Sequence, residues 1–126
     1  MRNNTFKVFL DEREFNLLLR CLWFKIENIN SSIRNNYGDN LKLVQLKERL
    51  VNLVGFINDK SINIPECSII VDSDSLLDIV DSIFSRVEEL NYLIINNRTM
   101  QYPTDQYECS KSECISLYDK LMDRRF

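Results

Sequence analysis

The sequence predicts a mainly α, α+β fold: a duplicated strand–helix–helix unit with pseudo-two-fold symmetry, four helices and a small two-stranded antiparallel sheet. Three observations predict this fold. Residues 8–30 (VFLDEREFNLLLRCLWFKIENIN) align without a gap on residues 69–91 (IIVDSDSLLDIVDSIFSRVEELN), at a constant shift of 61 positions. Each copy opens with a β-like run that ends at an Asp, and each continues into two stretches of helical period. The alternative is an all-α four-helix bundle in which the opening runs are merely extended.

Length and composition predict one domain, residues 1–126, made of two tandem repeats. A chain of 126 residues is long enough to bury a core, and two Pro and two Gly are too few for a disordered chain. Copy one is assigned to residues 5–57, copy two to 68–123, and the linker to 58–67. One unit cannot bury its own apolar face, whereas two units packed about a pseudo-two-fold axis can.

The opening run of each copy has the signals of a strand followed by a helix start. β-branched and aromatic residues dominate residues 5–10 and 68–71, as in strands. The pseudo-two-fold axis predicts that the two strands pair in an antiparallel way. Asp11 and Asp72 follow the runs and are predicted N-caps, and Glu14 completes a capping box with Asp11.

Apolar residues that recur at i, i+3, i+4 and i+7 predict the helices. The four helices are expected at about residues 12–32, 41–57, 73–95 and 113–123. A turn signal, NNYGDN, separates the first two, and a longer loop at 96–110 separates the last two. Residues 45–52 align with 116–123 at a shift of 71, which makes the second loop ten residues longer than the first.

Composition and charge exclude several classes of partner. A net charge of −3 argues against non-specific binding of nucleic acid and of anionic membrane, since both need a basic patch. No apolar run approaches the roughly 18–20 residues of a membrane span, and the N-terminal MRNNTFKVFL lacks the apolar core of a signal peptide. We therefore expect a cytoplasmic protein, whose four cysteines, at 21, 67, 109 and 114, are thiols.

No motif predicts catalysis, a cofactor or a metal site. The chain has no histidine, the commonest general base and metal ligand, and its two glycines are isolated rather than part of a phosphate loop. Cys109 and Cys114 lack zinc-knuckle spacing and are only a minor redox or metal candidate. We expect a protein that is not an enzyme and that acts by contact.

The first candidate site is a second apolar stripe on the first helix. Leu17, Cys21 and Phe24 lie at i, i+4 and i+7 with Arg20 beside them, opposite the main buried face. Copy two has the polar Asp78, Ser82 and Ser85 at the equivalent positions, so the fold does not require an apolar stripe there. The stripe is either covered by the loop at 96–110, through Met100, Tyr102 and Tyr107, or is a face for a partner or a second copy.

The second candidate site is an acidic ridge on the third helix. Asp74, Asp78 and Asp81 lie at i, i+4 and i+7, and the charge is reversed against copy one, where Arg13 and Arg20 are equivalent to Asp74 and Asp81. The ridge is either an ordinary solvated helix face or a surface for a basic protein.

Alanine is absent, whereas Asn, Ile, Lys and Leu are abundant. This bias, the acidic balance and the small size resemble phage- or prophage-encoded proteins of low-GC Gram-positive bacteria, including anti-defence, antitoxin and immunity proteins. The resemblance covers the whole chain in style and has no specific motif. It implies an inhibitor that binds a host enzyme, toxin or defence effector in the host cytoplasm. The alternatives are an immunity or antitoxin protein of a nuclease toxin and a homodimeric structural or assembly protein.

Overall fold

The fold is mainly helical, with one small antiparallel sheet, as the sequence predicts. The computed structural model describes residues 5–35, 40–61 and 68–123. In chain order the elements are β1 (Thr5–Phe9), α1 (Glu12–Asn35), α2 (Leu41–Ser61), β2 (Ser68–Asp72), α3 (Ser73–Thr99) and α4 (Asp105–Met122). In these residues no helix is both long enough and apolar enough to cross a membrane.

The strand pairing in the sheet follows the symmetry of the sequence repeat. β1 and β2 pair in an antiparallel way with Val8 opposite Ile69, and these two residues are equivalent positions at the shift of 61. An antiparallel ladder that pairs equivalent residues has a pseudo-two-fold axis through that pair. Val8 and Ile69 point inward and are buried, whereas Lys7 and Ile70 point outward and are exposed.

The crossing of α1 and α3 follows the same axis. Lys25 Nζ donates a hydrogen bond to Ser85 Oγ at 2.9 Å, and the Arg86 guanidinium lies 3.8 Å from the centroid of the Phe24 ring. At a shift of 61, Lys25 is equivalent to Arg86 and Phe24 to Ser85, so each contact is the symmetry image of the other. The two long helices therefore cross close to the axis.

The predicted apolar faces form the core, and the predicted caps start the helices. The buried residues of α1 and α3 include Phe15, Leu18, Leu22, Ile79, Ile83 and Leu90. Glu14 N donates to Asp11 Oδ1 at 2.8 Å, and Asp11 N donates to Glu14 Oε1 at 3.0 Å, which is the predicted capping box. Asp72 Oδ1 accepts from Ser75 N at 2.7 Å and caps α3.

The prediction of a long loop at residues 96–110 is wrong. α3 continues to Thr99 and α4 begins at Asp105, so only five residues connect the two helices. The turn uses Gln101 in a left-handed conformation, at φ 61°. This position after a helix is usually occupied by Gly, so without a Gly the sequence carried no clear signal that α3 ends here. The backbone carbonyl of Thr104 then accepts from Glu108 N at 2.9 Å and opens α4.

The predicted alignment of the second helices is wrong by one heptad. α2 begins at Leu41 and α4 at Asp105, a shift of 64 rather than 71. At this shift the buried residues coincide: Leu50 with Cys114, Leu53 with Leu117, and Ile57 with Leu121. A slip of seven residues preserves an apolar helical pattern, so the pattern alone could not exclude it. The second connection is thus no longer than the first.

The boundary of the predicted linker also changes. α2 runs to Ser61, so the first four residues of the linker predicted at 58–67 are helical. Residues 62–67, which include Cys67, and the turn residues 36–39 lie outside the described part of the chain. The division into two tandem repeats within one domain stays a prediction.

Candidate functional site

Helix α4 covers the apolar stripe of α1. Cys21 is only 1 % exposed, and its Sγ lies 4.0 Å from Sγ of Cys114 on α4. Cys21 therefore cannot contribute to a partner surface, and that prediction is wrong because α4 packs against the stripe at Cys114. Leu17 and Phe24 are half-buried. Of the expected cover, Met100 and Tyr102 are exposed, whereas Tyr107 is half-buried and packs against the core.

The four predicted residues of the stripe lie together beside a small cavity. Leu17, Arg20, Cys21 and Phe24 line a space of about 40 Å³ between α1 and α4. Arg86 closes one side of it, with its guanidinium stacked on the Phe24 ring. Arg20 is the one exposed member of this set.

The three predicted acidic residues do not form one free surface. Asp78 accepts hydrogen bonds from Nε and Nη2 of Arg49 on α2, at 3.1 and 3.3 Å, and these bonds raise the pKa of the Arg49 guanidinium. Asp81 lies 3.5 Å from Lys25 Nζ on α1. Asp74 is exposed and, together with Asp78, lines a groove between α2 and α3. The acidic ridge is therefore partly neutralised within the fold.

Two grooves related by the pseudo-two-fold axis each hold an internal ion pair. The groove between α1 and α4 has a volume of about 340 Å³ and holds the ion pair Arg13–Glu113 at 2.9 Å. The groove between α2 and α3, of about 530 Å³, holds the ion pair Arg49–Asp78. Glu113 is equivalent to Arg49 at the shift of 64, but Arg13 is equivalent to Asp74 and not to Asp78, so the two pairs use different positions.

A third groove, between α3 and α4, is apolar. Its volume is about 380 Å³, and its lining consists of Leu76, Leu77, Val80, Asp81, Phe84, Tyr118 and Met122. Leu77 is 66 % and Phe84 48 % exposed, and the Phe84 ring lies 6.2 Å from the Tyr118 ring, centroid to centroid. We name these residues the α3–α4 groove. Apolar side chains this exposed on a small domain mark a candidate binding surface.

The equivalent face of copy one is polar at its ends. Asn16 and Asn58 stand where the α3–α4 groove has Leu77 and Met122, and Arg20 stands where it has Asp81. The fold therefore tolerates polar residues at the positions of Leu77 and Met122, whereas Phe84 has an equally exposed aromatic equivalent in Trp23, at 47 %. Sequence reasoning missed the α3–α4 groove because Leu77 and Met122 lie on different helices, α3 and α4. The contrast between Asn16 and Leu77 was the available signal.

The α3–α4 groove suits the binding of apolar side chains rather than bond chemistry. Asp81 is its only carboxylate, and Lys25 already lies close to it. Within the described ranges, no three His, Cys, Asp or Glu side chains gather as a metal site would require. The groove can hold a few apolar side chains of another molecule in an open, accessible setting.

Comparisons with known proteins find no matching family model, no matching curated protein and no matching solved structure.

Proposed function

We propose that this chain is a non-catalytic protein-binding module whose α3–α4 groove binds an apolar segment of another protein. The single observation that carries the proposal is the 66 % exposure of Leu77 in the α3–α4 groove, at a position where the other half of the fold has Asn16. An apolar residue that the fold does not need, at a position open to solvent, is best explained by a partner that buries it.

The shape of the groove favours a helix as the bound segment. The groove is bounded by α3 on one side and α4 on the other, so it has room for side chains spaced at i, i+3, i+4 and i+7 on a third helix. A volume of about 380 Å³ is at the low end of ligand sites, which span about 300–1,000 Å³, and suits two or three apolar anchors.

Charge around the groove favours a basic partner. Asp81 lines the groove, and Glu88 on α3, Asp119 on α4 and Asp123 just after α4 are exposed. Carboxylates around an apolar centre attract Lys and Arg beside the anchors and exclude acidic competitors. A nucleic-acid-binding host enzyme, defence effector or nuclease toxin has such a basic surface. Neutralisation of one of these by a phage-encoded inhibitor, or by an immunity protein, is the activity we propose for the groove.

The test replaces the groove residues by those of the other half. Leu77→Asn with Met122→Asn introduces the residues of copy one at both ends of the groove, where the fold already tolerates them. The matched control is Ile95→Asn, because Ile95 is 63 % exposed on α3 but lies outside the groove. Circular dichroism and urea unfolding should show that both variants remain folded.

Binding is measured by tagged capture from a low-GC Gram-positive lysate, followed by titration with the purified captured protein. The wild type and the control should bind one protein equally, and the groove variant should bind it at least about 30-fold more weakly, as loss of an apolar hot spot predicts. Equal capture by all three proteins would exclude the groove as the site. A wild-type homodimer that only the groove variant dissociates would identify the partner as a second copy instead.

A further inference from the structure

We propose that Cys21 and Cys114 form a reversible intramolecular disulfide when the protein meets hydrogen peroxide, joining α1 of one half to α4 of the other. The two Sγ atoms are 4.0 Å apart, whereas a disulfide holds them at about 2.05 Å. Both side chains are only 1 % exposed. This inference is independent of the binding function proposed above.

An oxidant can reach the pair through the cavity beside it. The space of about 40 Å³ is lined by both cysteines and by Arg20, Arg86 and Ser110. It exceeds the roughly 10–15 Å³ that a water molecule needs, so a molecule as small as hydrogen peroxide can be accommodated. Bulky thiol reagents are too large for it, and the pair should therefore discriminate between oxidants by size.

The surroundings of the pair make Cys114 the more acidic of the two thiols. A hydrogen bond from the Cys21 thiol, followed by the charges of Arg86 and Arg20, lowers the pKa of Cys114. The bond to Cys114, followed by burial, raises the pKa of Cys21. Cys114 is therefore the nucleophile and Cys21 the proton donor. This division of roles suits oxidation, because the thiolate attacks and the thiol resolves.

The reaction balances with hydrogen peroxide as the oxidant. The Cys114 thiolate attacks one peroxide oxygen, the S–O bond forms, the O–O bond breaks, and hydroxide leaves and becomes water on taking up a proton. Cys21 sulfur then attacks the sulfenic sulfur, the S–S bond forms, and the sulfenic oxygen leaves as a second water with the Cys21 proton. Two thiols are oxidised to one disulfide and one peroxide is reduced to two waters.

The other half of the fold shows that packing does not require this pair. At the symmetry-related site Ser82 replaces Cys21 and Leu50 replaces Cys114, and both residues are as buried as the cysteines. Ser82 Oγ donates to the Asp78 carbonyl at 2.8 Å, so a serine is satisfied at this position. Two cysteines in contact, where the fold accepts Ser and Leu, point to a use for the sulfur itself.

The experiment treats the Cys67→Ser/Cys109→Ser protein, which keeps only the proposed pair, with hydrogen peroxide. Peptide mapping should find a Cys21–Cys114 cross-link, a mass lower by two hydrogen atoms, and full recovery on reduction. The urea midpoint of the oxidised protein should rise, because the bond closes a long loop of the unfolded chain. Cys21→Ser with Cys114→Leu, the residues of the other half, is the control and should show neither change.

A second measurement uses the natural chain, in which the exposed Cys109 reports the dose. The proposal requires the Cys21–Cys114 cross-link to appear at or below the peroxide concentration that oxidises Cys109. Oxidation of Cys109 with Cys21 and Cys114 still reduced would overturn it. So would stepwise gain of oxygen on Cys114 without a cross-link.

Discussion

Truncation of Leu22 tests the symmetric core at its centre. Leu22 on α1 is 0 % exposed, and its equivalent on α3, Ile83, is also 0 % exposed. Leu→Ala changes at fully buried sites remove transfer free energy and leave a cavity, at a combined cost between about 2.7 and 5.0 kcal/mol. We expect Leu22→Ala to lower the free energy of unfolding by about 3 kcal/mol, and Ile83→Ala to lower it by a similar amount.

Leu77→Ala is the matched control for this prediction. Leu77 is 66 % exposed, so only about a third of the roughly 1.5–3 kcal/mol for a buried leucine is lost, which is below about 1 kcal/mol. Urea unfolding, followed by circular dichroism, measures all three variants. With a slope near 2 kcal/mol/M, Leu22→Ala should lower the midpoint by about 1.5 M. A cost below about 1 kcal/mol for Leu22→Ala, or one equal to that of Leu77→Ala, would refute this description of the core.

Two further predictions concern polar contacts. Asp72→Ala should cost about 1 kcal/mol, because Asp72 caps α3 through Ser75 N. The backbone hydrogen bond from Ser75 lowers the pKa of Asp72. The stability lost in Asp72→Ala, relative to wild type, should therefore be largest above about pH 4 and should shrink as the pH falls further. Urea unfolding at several pH values measures this difference. In a double-mutant cycle with Ala, Arg49 and Asp78 should couple by less than about 1 kcal/mol and less at high salt, since Arg49 is mostly exposed. A larger, salt-independent coupling would contradict this.

The sequence predicted the parts of the fold that rest on strong local patterns. The capping box at Asp11 and the apolar faces of α1 and α3 are confirmed by the structure. These signals are local because caps and helical periods involve residues only three or four positions apart. The antiparallel pairing of β1 and β2 followed from symmetry rather than from the strand residues themselves.

The start of α4 could not be read from its residues. Its first two turns, DQYECSKS, are polar apart from Tyr107 and Cys109, so they show no apolar stripe. The turn before it depends on Gln101 in a left-handed conformation, which a sequence signals only when Gly is used. Because the start of α4 was missed, three predictions were affected: the length of the loop before α4, the alignment of α4 with α2, and the segment expected to cover Cys21.

The contact between Cys21 and Cys114 was hidden for a different reason. The two residues are 93 positions apart and meet only because α4 folds back along α3, which itself packs on α1, so the spacing of the cysteines carries no information about this contact. The α3–α4 groove was likewise hidden, because Leu77 and Met122 come from separate helices. Both sites become visible in the sequence once the shift of 64 aligns α2 with α4 and each residue is compared with its equivalent.

The polar ends of the copy-one face have a consequence for the stoichiometry of the proposed complex. A symmetric dimer of identical units presents every groove twice, so it can bridge two partner molecules and build larger assemblies. Here Asn16 and Asn58 replace Leu77 and Met122 in the equivalent face of copy one. If the α3–α4 groove binds a partner as we propose, one chain should form a closed one-to-one complex, with neither avidity nor cross-linking.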